Sequence, residues 1–153
     1  MKTLKTAAIC VLLCLSFLFS RSQNQKIPIN EPDRNKPQLF ADLPSKMNLR
    51  ISETENLLKL SEGSPVTVQL ADNFLFKGVV VSKSVDPSVT SIVLRSTNRQ
   101  GAFFTFTKTT NDEGGVNYLG RIMSKNNGDV FEITQENGQY VLQKKNLYDM
   151  ISE

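Results

Sequence analysis

The stretch Pro65 to Val81, PVTVQLADNFLFKGVVV, constrains the fold more than any other part of the chain. Val66, Val68 and Leu70 alternate with Pro65, Thr67 and Gln69, the period-2 pattern of a half-buried strand. Asp72-Asn73 interrupts with two short side chains that tolerate left-handed turn geometry, and Phe74, Phe76, Gly78 and Val80 resume the alternation. The stretch reads as a β-hairpin. A two-residue turn would set Leu75 and Lys77 on the face of Leu70 and Val68, whereas a longer one would set Phe74 and Phe76 there. The second arrangement carries no charge on that face and is the pairing expected, because slipping by one residue exchanges the two faces. An isolated hairpin is marginal in water, so its apolar face requires further strands.

Those strands follow in order. Ser82 to Ser88 reads as a loop around Asp86-Pro87, Val89 to Ser96 as a strand carrying Ile92 and Leu94, and Thr97 to Gly101 as a turn. Ala102 to Lys108 places Phe104 and Phe106 on one face and Phe103 on the other. After the Asn111 to Gly115 loop come three strands, Val116 to Ser124, Asp129 to Gln135 and Gln139 to Lys145. Their turns hold Asn127-Gly128 and Asn137-Gly138, the strongest short-range hairpin signal. Upstream, Met47 to Leu60 reads as a short helix, with Ser52 and Glu55 at capping-box spacing. Downstream, Asn146 is placed to cap a short C-terminal helix, LYDMISE. The expected fold is mainly β: about seven antiparallel strands, as a small barrel with an SH3-like or Sm-like curl or as a sandwich, with one short helix at each end.

The first residues, MKTLKTAAICVLLCLSFLFSRSQ, carry Lys2 and Lys5 before an apolar run from Ala7 to Phe19 that is short for a membrane span. Ser20-Arg21-Ser22 supplies small residues for signal peptidase, so residues 1–22 read as an export signal, with an uncleaved N-terminal anchor as the lesser alternative. Residues 23–46, with Pro28, Pro32, Pro37 and Pro44, read as a Pro-rich tether from which Leu39, Phe40 and Leu43 are apolar enough to dock, and residues 47–153 as a single β-rich domain. Cleavage changes the chemistry of the chain. Cys10 and Cys14 leave with the signal, so the mature chain needs no disulfide. Lys2, Lys5 and Arg21 leave too, and 18 basic residues become 15, equal to the 15 acidic ones. The expected address is periplasmic or extracellular, of bacterial type, and the neutral mature charge points away from nucleic acid.

The chain contains no histidine. That removes the usual general base and zinc ligand, and with them every Ser-His or Cys-His nucleophile pair. No glycine-rich loop precedes a helix to cradle phosphate. Neither a cofactor nor a metal is expected: Asp112-Glu113 in the Asn111 loop could hold Ca²⁺ weakly, but without EF-hand spacing. Phe74, Phe76, Phe104 and Phe106 are candidates to line an apolar-ligand cavity. Tyr118 and Tyr140, with Phe131, are candidates for an aromatic platform, and Arg121, with Lys125, Lys144 and Lys145, for a basic strip. The expected function is a non-catalytic domain that binds a protein or cell-envelope partner. A barrel for a small apolar ligand is second, and a carboxylate-dependent hydrolase third.

Val66, Val68, Leu70, Asp72, Phe76 and Gly78 also give the hairpin a pattern that resembles the first motif of Sm-like RNA-binding barrels, which likewise follows a helix. The next loop, SKSVDPSVT, lacks the Asn with which such proteins hold a base, and no Arg-Gly second motif is present. The resemblance implies a sharply curled strand at Gly78, and not RNA binding.

Overall fold

The computed structural model describes residues 35–150. The expected export signal and cleavage site, and the first half of the Pro-rich arm, lie outside the described residues. The chain runs β1 (Lys46–Asn48), α1 (Ile51–Glu55) continued by a 3-10 turn (Asn56–Lys59), β2 (Pro65–Ala71), β3 (Phe74–Val85), β4 (Val89–Ser96), β5 (Phe103–Thr110), β6 (Val116–Met123), β7 (Asp129–Glu136) and β8 (Gln139–Asn146). All eight strands belong to one antiparallel sheet in the order β1-β8-β7-β6-β5-β4-β3-β2. A single sheet curled into a half-barrel thus replaces the sandwich alternative. Its two ends approach where the Leu49 N–H donates to the Tyr140 carbonyl (2.9 Å) and the Arg50 N–H to the Leu70 carbonyl (2.8 Å). Among the described residues no helix is long and apolar enough to cross a membrane.

The β2–β3 hairpin reaches its apolar pairing by an unexpected route. Its turn is the short one, with Ala71 opposite Phe74, but the register shifts between Gln69 and Ala71, leaving Leu70 as a bulge. The bulge returns Phe76 to a position opposite Val68, so Phe74 and Phe76 face inward after all. Gly78 permits the curl by close approach: a Cβ there would lie 2.5 Å from the Arg95 carbonyl oxygen.

Four expectations need correction. Among the described residues the strand count is eight, because Lys46–Asn48 pairs antiparallel with β8, Lys46 opposite Gln143, Met47 opposite Leu142 and Asn48 opposite Val141. Ser82–Val85, expected in a loop, continues β3: a second register shift between Val80 and Ser82 keeps it paired with β4. The helix starts later than expected, at Ile51, with Arg50 as its N-cap and no side-chain cap, so the Ser52–Glu55 capping box does not form. Finally, 147–150 forms turns, not the start of a helix, although the Asn146 side chain does accept the Tyr148 N–H (3.0 Å) as a cap would.

Inside the curl, Phe40, Phe74, Phe76, Phe104, Phe106 and Phe131 are fully buried with Leu70, Ile92, Leu94, Ile122 and Leu142. Phe40 comes from the arm. Its ring meets Phe131 (4.9 Å between centroids) and Phe74 (6.0 Å), so Pro37 to Lys46 belongs to the folded domain. The docking is held by charge as well as by burial. The buried Asp129 carboxylate accepts the backbone N–H groups of Leu39 (2.6 Å) and Phe40 (2.8 Å). Arg99 donates to the Leu39 carbonyl and forks onto Asp42 (2.8 and 2.7 Å), while its guanidinium lies over the Phe40 and Phe74 rings. Lys144 donates to the carbonyls of Phe40 (2.5 Å) and Leu43 (2.6 Å).

Candidate functional site

The aromatic candidates separate into two groups. Phe76 packs on Phe104 (5.6 Å) and Phe104 on Phe106 (5.9 Å), and with Phe74 they are at most 1% exposed. Phe74 packs instead on Phe40 and Phe131 (5.8 Å), and all four rings belong to the filled interior. Tyr118 and Tyr140 stand at its edge, with Tyr118 stacked on Phe106 (5.6 Å, 6°) and edge-on to Tyr140 (5.2 Å). Burial pushes the Tyr118 hydroxyl up to about 12, helped by its hydrogen bond to the Glu55 carboxylate. Glu55 is itself held below the usual carboxylate range, chiefly by its bond from Lys108.

The two tyrosines mark a split in the sheet. β6 pairs with β5 along its whole length, but with β7 only through Arg121, Ile122 and Met123. Beyond Arg121 the strands part. The Tyr140 hydroxyl stitches the gap, accepting the Tyr118 N–H (3.3 Å) and donating to the Asn117 side-chain carbonyl (3.1 Å). Gly120 lies at the point of parting, where a Cβ would come within 2.7 Å of Ile133 Cδ1 and of the Thr105 carbonyl.

Arg121 stands beside this split on the outer face of the sheet. Its Nε (3.2 Å) and Nη2 (3.0 Å) reach Glu132 Oε1, while Lys145 Nζ binds Glu132 Oε2 (2.5 Å). Burial pushes the Glu132 carboxyl up, but the hydrogen bonds from Lys145 and Arg121 together outweigh it and hold the group below the usual carboxylate range. The expected basic strip is therefore divided. Arg121 and Lys145 flank one carboxylate, Lys144 is turned to the Phe40 segment, and Lys125 sits on the β6–β7 turn with its carbonyl taken by Lys36 Nζ (2.8 Å).

Three adjoining depressions on the outer face share Arg121. One of about 350 Å³ lies over the split, between Thr105 and Thr107 of β5, Leu119 and Met123 of β6, and Glu132 and Ile133 of β7. A second of about 290 Å³ is bounded by Glu132, Lys145, Asp149 and Met150. The third, about 370 Å³, lies among Lys36, Lys125, Met123, Val130, Leu147 and Met150. Leu119 is 53% exposed at the first, and Phe103, opposite Met123 on β5, is 42% exposed. Of the residues singled out from the sequence, three basic ones line these depressions: Arg121 all three, Lys145 the second and Lys125 the third. Leu119 and Met123 were legible beside Arg121: Leu119-Gly-Arg121-Ile-Met123 puts two apolar side chains on the same solvent face as the arginine. Lys36, Leu147 and Met150 were not, since only the docked ends of the domain bring them there.

Among the described residues no group of three or more carboxylates, cysteines or histidines is placed to hold a metal ion. No protein-family model matches the chain, and neither the curated proteins nor the solved structures contain a match to it.

Proposed function

We propose that the chain is a small exported, non-catalytic β-domain that binds a protein or cell-envelope partner through the outer face of β5, β6 and β7. The observation that carries this reading is the convergence of three depressions on Arg121, bordered by exposed Leu119 and Phe103. Exposed apolar side chains next to a partly paired arginine are a composition that favours a partner over water. The absence of histidine from the chain supports a binding role over catalysis. The four inner phenylalanines are buried against other core rings, Phe76, Phe104 and Phe106 in one row and Phe74 on Phe40 and Phe131, so we assign the binding surface to the outside of the sheet and not to its interior.

The test is capture from fractionated cell envelope with the mature chain and two variants. Leu119→Asp places a charge at the centre of the outer face, whereas Thr67→Asp changes an exposed position on β2. Loss of capture with the first and retention with the second is the expected result. Equal capture by both would remove the outer face from consideration. Mass spectrometry of the exported protein checks the address: a mature N-terminus near residue 23 is expected, and a chain beginning at Met1 contradicts it.

A further inference from the structure

The third depression differs from its neighbours in composition. Its floor is Met123, Val130, Leu147 and Met150, its rim is Lys36, Arg121 and Lys125, and among the described residues no carboxylate lines it. At about 370 Å³ it falls in the lower part of the roughly 300–1,000 Å³ range of small-ligand sites. The cations on its rim retain donors. Arg121 spends Nε and Nη2 on Glu132 and keeps Nη1, Lys36 Nζ gives one hydrogen bond to the Lys125 carbonyl, and Lys125 Nζ has no partner among the described residues.

The walls are the two ends of the described domain, both pinned to one residue, Gly128. The Gly128 N–H donates to the Pro37 carbonyl (3.0 Å), and the Gly128 carbonyl accepts the Leu147 N–H (2.8 Å). Asn127 Nδ2 adds a bond to the same Pro37 carbonyl (3.2 Å). A Cβ on residue 128 would lie 3.1 Å from the Lys36 carbonyl oxygen, so glycine lets the arm pass close enough to bring Lys36 to the rim.

From this cup we infer a second level of recognition: it takes a free single-chain amphiphile with an anionic head, of the fatty-acid carboxylate class. The inference rests on the outer face being the binding surface and names one molecule bound there. A hydrated inorganic anion would leave the methionine and leucine floor without a partner, and a neutral hydrocarbon would cover the rim charges without pairing them. An apolar chain ending in an anion satisfies both. Two flexible thioethers in the floor suit chains of differing length. The site is concave, so it receives one chain and does not present a protruding apolar wedge to a bilayer.

The test is titration of the mature chain, with its methionine methyl groups followed by NMR, against decanoate, decanol, inorganic phosphate, phosphatidylglycerol vesicles and an acidic, leucine-containing peptide. Decanoate should bind saturably and shift the Met123 and Met150 methyls, decanol should bind more weakly, and phosphate should not bind. Reversing the two lysines, Lys36→Glu with Lys125→Glu, should weaken decanoate by about tenfold, the scale of two exposed ion pairs. Circular dichroism and a thermal melt confirm that this variant is folded. Should it unfold, Lys125→Glu alone, which leaves the Lys125 carbonyl contact with Lys36 in place, must still weaken decanoate. Undiminished decanoate binding by the reversed variant overturns the proposal. So does binding of vesicles or of the peptide at these methyls without decanoate, which would make the occupant a bilayer or a protein. If decanoate fails while Leu119→Asp still abolishes envelope capture, the cup alone is refuted. If both fail, the outer-face reading falls with it.

Discussion

The molecule contains the dipeptide Asn-Gly twice, at the two turns of the β6-β7-β8 meander, and the two copies do different things. At Asn137-Gly138 both residues have positive φ (49° and 79°), and the β7–β8 ladder continues without interruption to Glu136 opposite Gln139. This is the mirror-image two-residue turn that matches the twist of paired strands. Neither Asn127 nor Gly128 adopts positive φ, and the turn spans a wider loop closed by the Asn127 N–H on the Ser124 carbonyl (3.2 Å). Here glycine is required for proximity: its backbone ties down both ends of the domain, and the arm passes over it. One turn is specified by local conformation and the other by what comes to rest on it. A sequence motif of two residues cannot distinguish these cases, because the second depends on segments some 90 and 20 positions away.

The contrast can be broken most forcefully at the arm. Phe40→Ala removes the fully buried ring that the Gly128 contacts accompany, and should cost about 3–5 kcal/mol in urea denaturation. If the arm were merely laid on the surface, the loss would be far smaller. Gly138→Ala comes next. A Cβ there meets no neighbour, so the cost is that of left-handed geometry alone, about 1–2 kcal/mol by the same measurement, with amide exchange at Gly128 and Leu147 unchanged. Gly128→Ala should cost less, on the order of 0.5–1 kcal/mol, yet speed amide exchange at those two positions, because the arm must yield a few tenths of an ångström. Equal exchange profiles for the two glycine variants would erase the distinction.

The smallest effects are those of pH. The Asp42 carboxyl is held down chiefly by its hydrogen bond from Arg99, and Glu132 is lowered overall despite its burial. A carboxylate whose folded pKa is depressed stabilises the fold above its ordinary value of about 4, and that contribution is lost as pH falls through the lower folded value. Acid titration should therefore loosen the arm at Asp42 and the outer face at Glu132, each followed by NMR. Tyr118 has the opposite sign. Its raised pKa stabilises the fold below the ordinary tyrosine value of about 10, and this is lost as pH rises through about 12. Phenolate absorbance should show a titration near that upper value, and Tyr118→Phe should remove it.

The sheet was largely legible in the sequence because period-2 patterning is local. Phe104 and Phe106 declare their face within one strand, and so do Ile92 and Leu94. The hairpin at Asp72-Asn73 shows where such reading stops. Its apolar pairing was foreseeable from composition, but the bulge at Leu70 that reconciles it with a two-residue turn was not. β1 was hidden for a further reason. Lys46–Asn48 is three residues long, and only Met47 turns inward, against Leu142. The outer-face site was read in part, through Arg121, Lys125 and Lys145. Its remaining walls depend on Asp129, Arg99 and Lys144, polar residues whose work is to hold a segment remote in sequence, and polarity alone does not reveal what a side chain will hold.

Gly128 joins the arm and the C-terminal turn at a single residue, so Pro37 and Leu147 lie side by side. A pull between the arm and the C-terminal turn would therefore load two adjacent hydrogen bonds before it reached the sheet. Those bonds also position the walls of the Lys36–Lys125 cup. Such a pull would distort the Lys36–Lys125 depression before it unpaired a strand.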